Sequence, residues 1–117
     1  MTQPSSQPMM SRSASNALRP VTLGVIVGNR GFFPDHLALS GREVILQALE
    51  RAGIRAVIVG VNDTGYGAIE SIQEAHLCAD LFRQHRDEID GILITLPNFG
   101  DERAVANVIR FAELNVP

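Results

Sequence analysis

Three apolar runs rich in β-branched residues recur along this chain, at 21–28, 54–61 and 92–96, and a segment of helical periodicity follows each of them. Continuous runs of this kind suit strands covered on both faces rather than strands with one wet side. Strand and helix in strict alternation give β-α-β-α-β-α, the start of a three-layer, doubly wound α/β fold of Rossmann-like or flavodoxin-like type. Right-handed crossovers put the first strand in the middle of a parallel sheet, in the order 2-1-3. The outer edge of the third strand then lacks a neighbour, so the sheet is expected to be incomplete at the C-terminal end.

Local signals set the helix limits. The spacing predicts a first helix over 35–52, with Leu37, Gly41, Val44, Ile45, Ala48, Leu49 and Ala52 on its apolar face. Gly53 follows as the residue that tolerates a left-handed backbone past a helix end. Ser71-Ile72-Gln73-Glu74 has the form of a reciprocal capping box and opens a second helix that buries Ala75, Cys78, Ala79 and Phe82. Pro97 is expected to end the third strand by removing a donor. A third helix over 102–113 presents Val105, Val108, Ile109 and Ala112, with Asp101 placed to cap it.

The chain has 117 residues, room for one domain, and a formal net charge of −3. That charge, with no basic run and no tryptophan, argues against nucleic acid as a partner. No stretch is long and apolar enough to span a bilayer, so no membrane association is expected. A lone Cys78 in an apolar helical context reads as a small buried hydrophobe. It fits a reducing, cytoplasmic setting. Residues 1–20 are rich in Ser, Pro and Gln without apolar periodicity. They read as a disordered leader, or as an over-extended start ahead of Met9 or Met10, with an organelle transit peptide as a further alternative. The folded domain is expected over 21–117.

Function concentrates where the strands end. Three loops leave the carboxyl ends of the strands and should lie side by side, at 28–35, 62–67 and 97–101, where open α/β sheets hold ligands. They offer Asn29, Arg30, Asp63, Thr64, Tyr66, Asn98 and Asp101 as polar groups, and Phe32, Phe33 and Phe99 as apolar walls. Directed donors beside aromatic walls suit a polyol or another polar small molecule. Asp63, Thr64 and the glycines read as turn formers ahead of ligand groups, and Asp101 mainly as a helix cap. Arg30 is assigned to ligand binding, because a turn gains nothing from a guanidinium next to Gly31 and Phe32.

Several chemistries are excluded. The first loop reads Gly-x-x-Gly and lacks the dinucleotide fingerprint, and no Walker lysine is present. His36, His76 and His85 fall at unrelated positions, and none has companions spaced as metal ligands. Asp35-His36 lacks the spacing of a cobalamin-binding loop. No metal or catalytic set is assigned within the chain, and no bound cofactor is expected.

The loops GNRGFFPDH, DTGYGA and LPNFGDE, in that order and spacing, resemble the N-terminal domain of the L-fucose/L-arabinose isomerase family, and the likeness runs from Val21 to Pro117. The resemblance implies conversion of an aldose to its ketose by an ene-diol route or hydride shift. It also implies a divalent metal, usually Mn2+, held by Glu, Asp and His residues of other domains, so this chain alone is expected to be inactive. It implies a homo-oligomer, trimer or hexamer, in which this domain lends loop residues to a neighbour's active site. By that carry-over Arg30 bonds sugar hydroxyls and Asn29 and Phe32 shape the pocket, with Tyr66, Asn98 and Phe99 contributing from the adjacent loops. The alternative is a non-catalytic sugar-binding α/β module. A regulator of that kind carries a DNA-reading helix pair, and a secreted receptor an export signal; residues 1–20 have the pattern of neither.

Overall fold

The computed structural model describes residues 20–29, 35–98 and 102–117. The order is β1 (Thr22–Asn29), α1 (Asp35–Arg51), β2 (Arg55–Val57), a 3-10 turn (Gly65–Gly67), α2 (Ile72–Gln84), β3 (Gly91–Asn98) and α3 (Glu102–Ala112). The three strands form one sheet in the order β2-β1-β3, and both pairings are parallel. This is the doubly wound arrangement expected from the alternation of apolar runs. Residues 1–19 of the leader, together with Arg30, Phe32, Phe33, Phe99 and Asp101, lie outside the described residues.

β1 is the centre of the molecule. Val25, Ile26 and Val27 are all buried, and their side chains serve two separate cores. On one face Val25 and Val27 meet Ala38 and Leu49 of α1 together with Ala68. On the other, Ile26 joins Ala75, Cys78, Ala79 and Phe82 of α2 and Ala104, Val108 and Ala112 of α3. The α2 residues are those its spacing predicts. His76 of α2 stacks on Phe111 of α3 with ring centroids 4.0 Å apart, so this surface histidine helps join the two helices.

Two helix faces differ from expectation by about one position. On α1 the inward residues are Ala38 and Leu49, with Arg42 also buried, whereas Leu37 and Val44 are exposed and Ala52 is solvent-facing. The cause is close approach to the sheet: a Cβ placed on Gly41 would lie 2.3 Å from Cβ of Pro97. Only small side chains fit between helix and sheet at that distance, so the bulky apolar ones turn outward. On α3, Ala104 is buried and Ile109 is exposed, the same trade of a small residue inward for a branched one outward.

Two strands also differ from their predicted limits. β3 continues through Pro97 to Asn98, because the missing N–H coincides with a shift in the ladder between Val27/Thr95 and Asn29/Asn98. An irregular edge position tolerates proline in this way. β2 stops at Val57 although apolar residues continue to Val61. The carbonyl of Val59 is taken by the Arg42 guanidinium at 2.7 Å, and the place beside Gly28 is filled by Ile69, whose N–H donates to Val27 O at 2.8 Å.

Past α3 the chain returns to the sheet, and Ile92 N–H donates to Pro117 O at 2.7 Å. Beyond that contact the outer edge of β3 carries exposed Ile94 and Leu96, which with Val105, Ala106 and Ile109 line an apolar cleft of about 290 Å³. Gly53 ends α1 with φ 74°, as its position after the last helical turn requires. Among the described residues no helix is long and apolar enough to cross a membrane.

Two outcomes follow from this packing. Gly41→Ala is expected to cost about 2 kcal/mol, since neither the helix backbone nor the Pro97 ring can yield easily, and to lower Tm by roughly 8–16 °C in thermal unfolding. Burial pushes the Cys78 thiol from its ordinary value of 9.0 up to about 12. A raised thiol is an acid that ionises more readily in the unfolded chain. Its contribution to stability is therefore full below pH 9.0 and is lost as pH rises toward about 12. Cys78→Ala is expected to flatten the alkaline limb of the stability profile, measured by urea unfolding across that range.

Candidate functional site

The site grows from the backbone pairing at the carboxyl end of β1. The parallel bridge between Gly28 and Ile69 places the next residue of each segment, Asn29 and Glu70, side by side. Asn29 is fully buried, and its Nδ2 donates to Glu70 Oε2 at 2.5 Å. A buried amide needs partners for its polar atoms, and a carboxylate partner gives the stronger, charge-assisted bond. In this arrangement the amide of Asn29 fixes the carboxylate of Glu70 and is itself shielded from solvent.

Glu70 is held from its backbone as well. Glu74 Oε1 accepts from Glu70 N at 2.7 Å, and Glu74 Oε2 reaches Gly65 N at 3.4 Å. Ser71 caps α2 by accepting from Glu74 N at 3.2 Å. The capping box expected from Ser71 and Glu74 is therefore half formed. The serine acts as foreseen, while the glutamate bonds the preceding residue and the 62–67 loop instead of the Ser71 N–H.

That loop is clamped from the other face of the sheet by Arg42. The guanidinium is 8 % exposed, its Nη1 donates to Val59 O, and a Cβ on Gly67 would come within 2.5 Å of Nη1. Gly67 has φ 71°, so both its conformation and its closeness to Arg42 call for glycine. Burial lowers the Arg42 pKa, and the nearby Asp63 carboxylate opposes that shift. Asp63 itself turns the chain, its Oδ2 accepting from Gly60 N at 2.8 Å, in accord with the turn reading of that residue. The loop so held presents Tyr66, which is half-exposed and has a left-handed backbone at φ 59°. Left-handed geometry at a non-glycine residue persists only where its surroundings impose it.

Of the six residues predicted to bind substrate, the structure places Asn29 at the carboxyl end of β1 and Tyr66 in the 3-10 turn of the 62–67 loop. Asn98 is the last residue of β3, paired in the ladder with Asn29, and its side chain lies outside the described residues, as do Arg30, Phe32 and Phe99. Sequence reasoning overlooked Glu70 and Arg42. Glu70 was indistinguishable from a solvated loop acid, because only the bridge at Ile69 brings it to Asn29. Arg42 carried a signal: it lies four residues after Ala38 and seven before Leu49, on the stripe that faces the sheet.

Beside this network a cleft of about 300 Å³ opens between the starts of α2 and α3, lined by Glu70, Ser71, Ile72, Arg103, Ala104 and Asn107. Among the described residues no three His, Cys, Asp or Glu side chains come together as metal ligands. The cleft's lining offers hydrogen-bonding groups of Glu70, Ser71, Arg103 and Asn107.

Tyr66 is the single tyrosine of a chain without tryptophan, so its emission reports on the 62–67 loop alone. Arg42→Met is expected to leave Val59 O without its donor, at a cost of about 1–3 kcal/mol, and to free the loop. Steady-state anisotropy of Tyr66 emission should fall in the variant below its unfolding temperature. An unchanged anisotropy would show that Arg42 does not hold the loop.

No curated protein and no solved structure matches the chain. One family description does, fucose/sulfoquinovose isomerase, N-terminal domain, over residues 24–117. The match spans β1 from Gly24 onward, β2, β3, the Asn29–Glu70 pair and the loop that presents Tyr66, and it names the enzyme class implied by the three loop motifs. The chain belongs to the family of fucose/sulfoquinovose isomerase N-terminal domains.

Proposed function

We propose that this domain is the substrate-lending and assembly domain of a metal-dependent aldose–ketose isomerase. It presents strand-end loops to a sugar whose reacting carbons are handled by other domains. The observation that carries the reading is the joining of the end of β1 to the segment ahead of α2 by the Gly28–Ile69 bridge and the Asn29–Glu70 bond. That pairing spends a buried side chain on fixing a carboxylate at the position where α/β sheets hold ligands.

Isomerisation moves hydrogen between C1 and C2 of an open-chain sugar, and its rate depends on holding a flexible polyol in one conformation. Binding groups remote from the reacting carbons do this by restricting the chain before the proton or hydride moves. Arg30 donates to sugar hydroxyls, the aromatic residues of the first and third loops shield the ligand from water, and Tyr66 closes the site from the second. The described residues do not fit a catalytic Mn2+, since no set of donors converges and the one thiol is buried and protonated. The proposal accordingly assigns the metal ligands to other domains and gives the described residues a binding role only.

Lending loops to a neighbour makes a trimer or hexamer the working unit, and subunit mixing tests that directly. Arg30→Ala in the complete isomerase should lower kcat/KM by roughly 10- to 150-fold, the loss of about 1–3 kcal/mol of one directed contact. Mixed oligomers of Arg30→Ala subunits with subunits lacking their metal ligands should recover activity, because some sites then receive an intact loop and an intact metal. Neither parent recovers alone. Full activity of Arg30→Ala, or mixing without recovery, would sink the proposal.

A further inference from the structure

Among the described residues, those lining the cleft between the starts of α2 and α3 come from none of the three loops that the sequence singles out. The cleft's chemistry centres on Glu70. That carboxylate is half-buried and oriented at two points, with Oε2 bound by the fully buried Asn29 amide and the backbone N–H bound by Glu74. Its second oxygen, Oε1, has no hydrogen-bond partner among the described residues. Ser71 Oγ accepts from Glu74 N and keeps its own hydroxyl proton to donate. Asn107 Oδ1 accepts from Arg110 Nη2 at 3.1 Å, which fixes the side-chain amide whose NH2 remains a donor. Arg103 adds a guanidinium to the wall, and half-exposed Ile72 adds an apolar patch.

A ligand matching this wall must both donate and accept. It needs a hydroxyl to give a hydrogen bond to Glu70 Oε1, hydroxyl oxygens to receive from serine, amide and guanidinium, and a C–H face to lie on Ile72. Adjacent hydroxyls on a carbon chain supply all three. An anion does not, because it brings no donor to the carboxylate and is repelled by it.

The geometry points to a second hydroxyl-binding subsite in this cleft, for a neutral stretch of the sugar bearing adjacent hydroxyls. Glu70 is its directing acceptor, and Asn29 acts as the positioning residue behind it. The inference rests on the sugar-isomerase reading and adds to it the residues and the ligand chemistry. It also assigns a buried role to Asn29, which touches Glu70 rather than the sugar.

The test is a backbone amide NMR titration of this chain with L-fucose and, separately, with sodium sulfate. L-Fucose should shift the amides of Glu70, Ser71, Arg103, Ala104 and Asn107, and sulfate should leave them in place. Glu70→Gln keeps the size and the bond from Asn29 but removes the charge, and should weaken binding about tenfold or more. Asn107→Ala, on a half-buried position of α3, should weaken it less while keeping the spectrum folded. Shifts confined to the 62–67 loop would overturn the subsite and leave the isomerase reading standing. Larger shifts with sulfate than with fucose, unaltered affinity in Glu70→Gln, or no shift at all would also overturn it. The isomerase reading is decided independently by subunit mixing.

Discussion

Everything in this domain is referred to β1, because that strand has no free face along its central residues. Val25, Ile26 and Val27 are buried beneath α1 on one side and beneath α2 and α3 on the other; β3 pairs with all three, and β2 with the residues just before them. A central parallel strand in such a position fixes the height of every element attached to it. The loops at its carboxyl end thereby inherit a rigid base. Burying three branched side chains completely contributes about 5–9 kcal/mol of transfer free energy, which opposes the entropy of ordering the surrounding helices.

The site follows from a local failure of the sheet. If β2 had run on to Val61, the upper half of β1 would have been paired by an uninterrupted strand, and no acidic side chain would reach Asn29. Instead the Arg42 guanidinium takes the Val59 carbonyl, the chain loops out, and Ile69 returns to take the ladder position beside Gly28. Two backbone groups that would otherwise be unsatisfied are both paired, one by a side chain and one by a returning segment. This is how backbone hydrogen bonding is completed around an irregular loop. The cost is a buried guanidinium with lowered basicity, and the return is a loop that is fastened at both ends.

Much of the fold was legible in the residues because local and global signals agree there. The α2 face, its serine cap and the strand order all rest on periodicities and caps that packing reinforces. The α1 face was not legible, since apolar residues occur on more than one side of that helix. Its orientation is decided by the close contact of Gly41 with Pro97, a pair separated by more than fifty residues in sequence. The same holds for Glu70, whose role depends on a bridge between segments that neither loop motif encodes. Asn29 was singled out as a candidate from its position after β1, yet its partner Glu70 could be found only once the register was known.

The Asn29–Glu70 pair also shows how a buried amide can pre-orient a carboxylate beside a cleft. A carboxylate free to rotate would adapt to many hydroxyl arrangements and favour none of them. Fixing one of its oxygens with a buried amide leaves the other in a single direction, so the entropy of orienting it is spent during folding and not during binding. The amide can do this only because Gly28 and Ile69 hold their strands in register, and the register holds because β1 is buried on both faces. Sequence, packing and ligand geometry are thus linked through one backbone bridge. A change that slipped Ile69 by one residue would put Ser71 or Ile69 opposite Asn29, leaving a buried amide without its acceptor and a cleft without its carboxylate.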